Sequence, residues 1–334
     1  MFAALSLPQP FQVRPSGRPA TTLRSADELR RAMRDARGTT VAVDASALDR
    51  VLRFDAARGL VEVQAATRWD ALSDYLRASS VDLSGFTAGA GLPSTVGATV
   101  EINAPGPDGR PLVAHVDALA LVTPDGELRR VSRQSNPELF ALAAGGQGAF
   151  GTLYSATLRI EGLAAAASAR DPAALLELPA ACGRMRTLAL LVPPQSLECF
   201  LADARARCLE WRIPIEGVEV RRTLPEDETR LRWARREYAA VALALGEPPT
   251  LGGCVRSTQL RRELIDAAIE RGGSFPVACT PEATRAQTEA CYPELRAFLA
   301  EKRRCDPAER LSNPWYRHHR SLLGREACPV RWGV

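Results

Sequence analysis

Lysine is almost missing from this chain: of 43 basic residues only Lys302 is a lysine, which leaves almost no candidate for lysine chemistry. Histidine is scarce too, with His115, His318 and His319 the only three. No cysteine precedes Cys182, and the eight cysteines form neither close CxxC pairs nor groups with histidine at metal-ligand spacing, which argues against a zinc site. The opening MFAALSLPQPFQV lacks a basic n-region and meets Pro8 early, so no signal peptide is expected, and the thiols are expected reduced in a cytoplasmic protein. No apolar run is long enough to span a bilayer, so no transmembrane segment is expected. A net charge of +4, evenly spread, argues against a nucleic-acid partner.

What remains is an ordinary globular composition, 46% hydrophobic and 25% charged over 334 residues, enough for a sizeable core and two domains. The most informative stretch runs from Ser135 to Ile160. Ser135, Asn136 and Pro137 announce a helix carrying Leu139, Phe140 and Leu142, and Thr152 to Ile160 alternates as a strand. Between them, Gly146, Gly148 and Gly151 spell the letters of the dinucleotide fingerprint. That fingerprint needs the order strand, glycines, helix, so that a helix N-terminus faces the pyrophosphate; here the order is reversed and a Rossmann site is rejected. Such a loop still brings bare backbone close to a flat ligand, or is simply a connector.

The N-terminal half reads as a small α+β domain. Ser25 and Glu28 form a capping box before Leu29 and Met33, and the helix should end at Gly38. Val41 to Val43 is a short strand, and Val51 to Phe54 with Leu60 to Val63 is a hairpin about the Asp55 to Gly59 turn. Thr67 and Asp70 are expected to cap a helix with Trp69, Leu72 and Leu76 on its buried face. A second hairpin joins Ala118–Val122 to Leu128–Val131 through Thr123-Pro124-Asp125-Gly126. Between these units, Gly85 to Arg110 is too rich in Gly, Pro and Thr for a helix. Anchored by Val96, Val100 and Ile102, it is expected to be an ordered loop around a ligand, with backbone amides and the hydroxyls of Ser94, Thr95 and Thr99 open to phosphate oxygens. A surface Ω-loop is the alternative.

Taken in order, several motifs between Thr21 and Ile160 resemble the FAD-binding domain of the vanillyl-alcohol oxidase / p-cresol methylhydroxylase (PCMH-type) superfamily. They are Leu48-Asp49-Arg50-Val51, Val61 to Ala65, Trp69-Asp70-Ala71-Leu72, Gly91 to Ala98, His115 to Leu119, and Asn136 to Phe140 through Gly151. The resemblance implies FAD between two α+β subdomains. Gly91, Pro93, Ser94, Thr95, Val96 and Gly97, then Asn103 and Gly106, would lie beside the pyrophosphate and flavin, with His115, Gly146, Gly148 and Gly151 near the cofactor. The superfamily's usual glycine-rich phosphate loop, often with a histidine bound covalently to flavin, is missing between Gly38 and Ser46. Non-covalent FAD is therefore expected.

The expected organisation is a FAD-binding domain at 1–162, an alanine-rich linker at 163–180, a cap domain at 181–283, and a C-terminal helix and tail at 284–334. The cap reads βαββαβ, one antiparallel sheet covered by helices, its last strand at Ser274 to Ala278. It resembles the substrate domain of the sugar-lactone oxidase branch, as does the tail through Asn313-Pro314-Trp315-Tyr316. Glu219 and Arg221, two apart, share a strand face; the resemblance implies that they contact a polyol substrate, and a solvated polar face is the alternative. The last cap strand lacks the basic residue usual in that branch, which leaves His318 and His319 as candidate proton acceptors. The expected function is oxidation of a hydroxyl-bearing small molecule by hydride transfer to FAD. The alternatives are a catalytically reduced binding or regulatory protein, or a subunit of a larger assembly.

Overall fold

The computed structural model describes residues 22–35, 44–83, 94–106, 108–168 and 185–324. The expected short strand at 41–43, most of the linker, the shortened front loop before Asp44, and the candidate residues Gly91 and Pro93 lie outside the described residues.

The first half is built on a five-stranded antiparallel sheet of β1 (Val51–Asp55), β2 (Leu60–Gln64), β3 (Val116–Val122), β4 (Leu128–Ser132) and β5 (Thr152–Arg159). Its strand order is β1-β2-β5-β3-β4. The central β5 pairs Ala156 with both Val63 and Leu119, so it is screened on both edges and largely buried. Both expected hairpins form, and Gly126 closes the second at φ +81° with its N–H on the Thr123 carbonyl.

Five described α-helices accompany this sheet. α1 (Ala26–Asp35) buries Leu29 and Met33. Its capping box is shifted: Ser25 Oγ accepts from Glu28 N, but the Glu28 carboxylate reaches Arg24 N rather than Ser25. α2 (Trp69–Arg77) buries Trp69, Leu72 and Leu76 as the spacing predicts. Thr67 does not cap it, however: its hydroxyl donates to the Arg50 carbonyl, and the N-cap is Arg68, which makes no side-chain capping bond. Asp70 does accept from a first-turn amide, that of Ala71, while pairing with the Arg68 guanidinium. The segment read as loop contains α3 (Val96–Glu101), a short helix held by tertiary contacts that propensity does not record. α4 (Pro137–Ala143) is capped by Asn136, whose side chain accepts from Leu139 N. After β5 the alanine-rich stretch continues as α5 (Ile160–Ser168), so the expected linker begins inside a helix.

The second sheet has three antiparallel strands, β6 (Met185–Val192), β7 (Ile215–Thr223) and β8 (Tyr238–Gly246), in the order β6-β8-β7. α6 (Leu197–Glu210) and α7 (Leu251–Glu270) accompany it. The fourth strand expected at Ser274 to Ala278 is reduced to a single bridge between Leu191 and Ser274. Pro276 has no N–H to extend the ladder, and its carbonyl instead accepts from Cys279 N and the Thr280 hydroxyl in a turn.

The C-terminal helices α8 (Arg285–Cys291), α9 (Leu295–Cys305) and α10 (Pro314–Leu323) then return to the first half. The Arg310 guanidinium donates to the carbonyls of Met33 and Pro124, and Asn313 Nδ2 donates to the Gln147 carbonyl at 2.6 Å. Phe150 meets Phe298 edge to face, with ring centroids 5.0 Å apart. One hydrophobic core therefore runs from Ala149 and Phe150 through the second sheet to Trp315 and Tyr316.

Candidate functional site

The end of α3 and the glycine loop after α4 are laced together by their backbones. Gly145 N donates to the Val100 carbonyl and Gln147 N to that of Glu101, each at 2.9 Å. The glycines of this loop differ in what they do. A side chain at Gly146 would clash with the Leu142 carbonyl, and one at Gly151 with Leu121 and the Val122 carbonyl, so these two serve chain packing. Gly148, at φ +67°, is the one that faces a functional group: a Cβ there would lie 3.4 Å from Glu101 Oε1.

α3 is fixed at its start by similar close contacts. Gly97 N donates to the Ala65 carbonyl at 2.8 Å, and a Cβ at Gly97 would clash with Ala65. Val96 is wholly buried in the core of the first half. The Thr95 hydroxyl caps Ala98 N, while Thr99 Oγ1 donates to the Val96 carbonyl and accepts from Trp69 Nε1. Two of the three hydroxyls expected to meet phosphate oxygens are thus committed within the fold, and Ser94 alone is exposed.

After α3 the chain turns through Asn103 at φ +48°. Asn103 is 1% exposed: its Oδ1 accepts from Val113 N, its carbonyl accepts from Trp233 Nε1, and its Nδ2 has no hydrogen-bond partner. Gly106 pairs with Arg110 across a tight loop, its N–H donating to the Arg110 carbonyl at 2.7 Å. Within that loop Asp108 Oδ2 stands 3.4 Å from Nε2 of the buried His115. Burial pushes the Asp108 carboxyl up, but His115 and the N–H of Arg110 outweigh it and hold the group below its ordinary value. His115 is wedged between this carboxylate and Gly162, where a Cβ would lie 2.8 Å from Nδ1.

Sequence reasoning missed Glu101. Its carboxyl is half-buried and makes no hydrogen bond or ion pair with another described residue, and burial raises its pKa to about 7. The available signal was compositional, since Glu101 is the single charged residue between Asp82 and Asp108.

Glu219 and Arg221 share one face of β7 and are ion-paired with each other, both partly buried. The end of that strand docks on the loop of Gly106, with Leu224 N donating to the Gly109 carbonyl at 2.7 Å. His318 lies on α10, and no hydrogen bond or ion pair among the described residues joins it to the glycine loop or to Glu219 and Arg221. Its neighbour His319 is buried against Trp315, ring centroids 4.5 Å apart, and burial lowers its pKa to about 4. That ring is a packing element, set away from proton transfer near neutrality.

A sequence profile described as "FAD binding domain" matches residues 22–132. A stretch of 119 residues is 34% identical to L-galactono-1,4-lactone dehydrogenases 1 and 2 of Oryza sativa subsp. japonica. The Arabidopsis thaliana L-galactono-1,4-lactone dehydrogenase is 31% identical over the same length. These segments cover 35% of this chain and 19–20% of the relatives, so the match spans about a fifth of their length. Among solved structures, a variant of the Physcomitrella patens BBE-like 1 protein superposes with a TM-score of 0.65 over 92% of this chain and 95% of that one. At 12% identity that likeness speaks for the fold alone. The chain therefore carries a FAD-binding domain of the PCMH type, followed by an antiparallel sheet with helices in a BBE-like fold.

Proposed function

We propose that this protein is a FAD-dependent oxidoreductase that oxidises a hydroxyl-bearing, sugar- or polyol-like small molecule, with the flavin held non-covalently. The observation that carries the reading is the lacing of the glycine loop to the end of α3, a helix within the residues that match a FAD-binding domain, beside the end of the strand that bears Glu219 and Arg221. Similarity to dehydrogenases of a sugar lactone supports the substrate class.

The residues present fit the ring end of such a cofactor. Asn103 Nδ2 is a buried donor without an acceptor among the described residues, the Glu101 carboxyl is half-buried, and Gly148 passes it as bare backbone. Asn103, the loop at Gly106 and Gly145 to Gly148 would hold the ring; of the residues expected beside the pyrophosphate, Gly91 and Pro93 lie outside those described. Bound FAD would supply the acceptor for the hydride. The rest falls to side chains: Arg221, oriented by Glu219, offers charged N–H donors to substrate hydroxyls, and Glu219 offers acceptors. No cysteine occurs in the domain and its one histidine, His115, is packed against Asp108 and Gly162, which supports non-covalent attachment.

One observation favours a second reading, a catalytically reduced binding or regulatory protein or an assembly subunit. The connection from β7 to β8 reaches over the first half, where Trp233 donates to the Asn103 carbonyl and Thr229 packs on Gly145. Purified full-length protein separates the two. Stoichiometric flavin absorbance, released by denaturation, is expected; a colourless protein that cannot be reconstituted with FAD overturns the enzyme reading.

A further inference from the structure

Glu101 and Asn103 stand at the end of the same helix. The Glu101 carboxyl is half-buried and no described residue forms a hydrogen bond or ion pair with it, and the fully buried Asn103 Nδ2 has no acceptor among the described residues. Both lie against the glycine loop: Glu101 Oε1 is 3.4 Å from a Cβ built on Gly148, and Asn103 Cβ is 3.0 Å from one built on Gly145. Glu101 is held there firmly, because its carbonyl accepts from both the backbone N and Nε2 of Gln147, whose own carbonyl accepts from Asn313 Nδ2 on the tail. Three segments of the fold thus converge to position a half-buried carboxyl that no other described residue bonds. A buried polar group left without a partner is costly to keep, and Asn103 Nδ2, the fully buried member of the pair, is expected to be answered by a ligand that also covers the carboxyl.

Among the described residues none supplies a charge that pairs with the carboxylate. The glycine loop is uncharged from Gly145 to Gly151. On the connection from β7 to β8, Glu228 is paired with Arg133, Glu226 is occupied by Thr229, and Arg230 is exposed. On the loop after α3, Asp108 is engaged with His115 and Arg110; on the tail, Glu309 is paired with Arg320 and Arg310 reaches Met33 and Pro124. None of these forms an ion pair with Glu101. A flat, uncharged ring laid over the loop would strip the remaining water from the carboxyl and disfavour its ionised form.

We infer that Glu101 is a cofactor-contacting residue whose carboxyl takes up a proton as FAD binds, with Asn103 Nδ2 donating beside it. This rests on the FAD reading above. The proton comes from solvent, no bond of the cofactor changes, and the complex gains one hydrogen on Glu101. The pKa of about 7 in the free protein places the uptake in the neutral range, so affinity falls as pH rises above it.

The test is FAD affinity of the flavin-free full-length chain, read by quenching of flavin fluorescence from pH 6 to 9. For the natural sequence the dissociation constant is expected to rise up to about tenfold per pH unit above about pH 7. Glu101→Gln, which mimics the neutral acid, is expected to bind FAD equally well across the range, at least as tightly as the natural sequence does at pH 6. Circular dichroism confirms that the variant is folded. Tight binding that does not vary with pH in the natural sequence, or a slope that persists in Glu101→Gln, overturns this inference alone. Absence of FAD binding at every pH overturns it together with the cofactor assignment.

Discussion

The one lysine of the chain, Lys302, is fully buried and its ammonium donates to the equally buried Asp306 one helical turn away. The ammonium also lies 5.4 Å from the ring centroid of Tyr316. Asp306 does more than neutralise it, accepting as well from the backbone of Arg310 and Leu311, which shapes the return from α9 to α10. Burial pulls the Lys302 pKa down against the pull of Asp306.

Removing one partner of this pair strands the other charge in the core. Lys302→Met is expected to lower stability by about 3–5 kcal/mol. Chemical denaturation of the variant against the natural sequence checks it, and a change below about 1 kcal/mol would show that the charge is already hydrated.

The same burial makes an unusual labelling experiment available. An amine-reactive reagent should modify Lys302 only after unfolding, so under native conditions mass spectrometry should find this residue unlabelled. Rapid native labelling at Lys302 would mean that α9 opens readily.

Acid sensitivity is expected from His319. Its folded pKa of about 4 lies below the ordinary 6.5, so between those values the unfolded chain binds more protons than the folded one. Stability therefore rises with pH through that window and is lost on acidification toward pH 4. His319→Phe should flatten this part of the stability profile, measured by thermal melts at pH 4, 5, 6 and 7.

How much of this could be read from the residues depended on whether the cause was local. The cap at Asn136, the hairpin turn at Gly126 and the faces of α1 and α2 are short-range chemistry, and they were legible. α3 was not. Its TVGATVE stretch has poor helix propensity, and the helix stands because Trp69 bonds Thr99 and the Ala65 carbonyl receives Gly97 N, partners some thirty residues away. The strand at Ser274 failed at Pro276, whose effect on a ladder depended on where the edge lay. Of the candidate site, the glycines and the Glu219–Arg221 pair carried a visible pattern, whereas Glu101 depended on which loop would come to lie against it.

If Arg221 and Glu219 act as a substrate clamp, Arg221→Ala should lower kcat/KM for a sugar-lactone or polyol substrate by roughly 10- to 100-fold, the equivalent of about 1.5–3 kcal/mol for a hydrogen bond to a charged group. Flavin content should be unchanged, because the pair stands on β7 rather than on the glycine loop. Steady-state kinetics with parallel flavin quantification decide this, and loss of flavin in the variant would instead assign the pair to holding the cofactor.

The last expectation concerns Glu101 in the protein without FAD. Its folded pKa of about 7 exceeds the ordinary 4.5, so between those values the folded state binds more protons than the unfolded chain. Stability contributed by this group is present in full below about pH 4.5 and declines as pH rises through 7. The ionised carboxylate is then a burden at alkaline pH, on the order of 1–3 kcal/mol once its partial exposure is allowed for. Glu101→Gln removes the charge while keeping the shape, so it should stabilise the flavin-free chain at pH 8 and have little effect at pH 4.5. Urea unfolding at the two pH values reads the difference directly. Equal stability of the two forms at pH 8 would mean that the carboxylate is well solvated in the free protein, and the polar junction between α3 and the glycine loop would then be open to water before any ligand arrives.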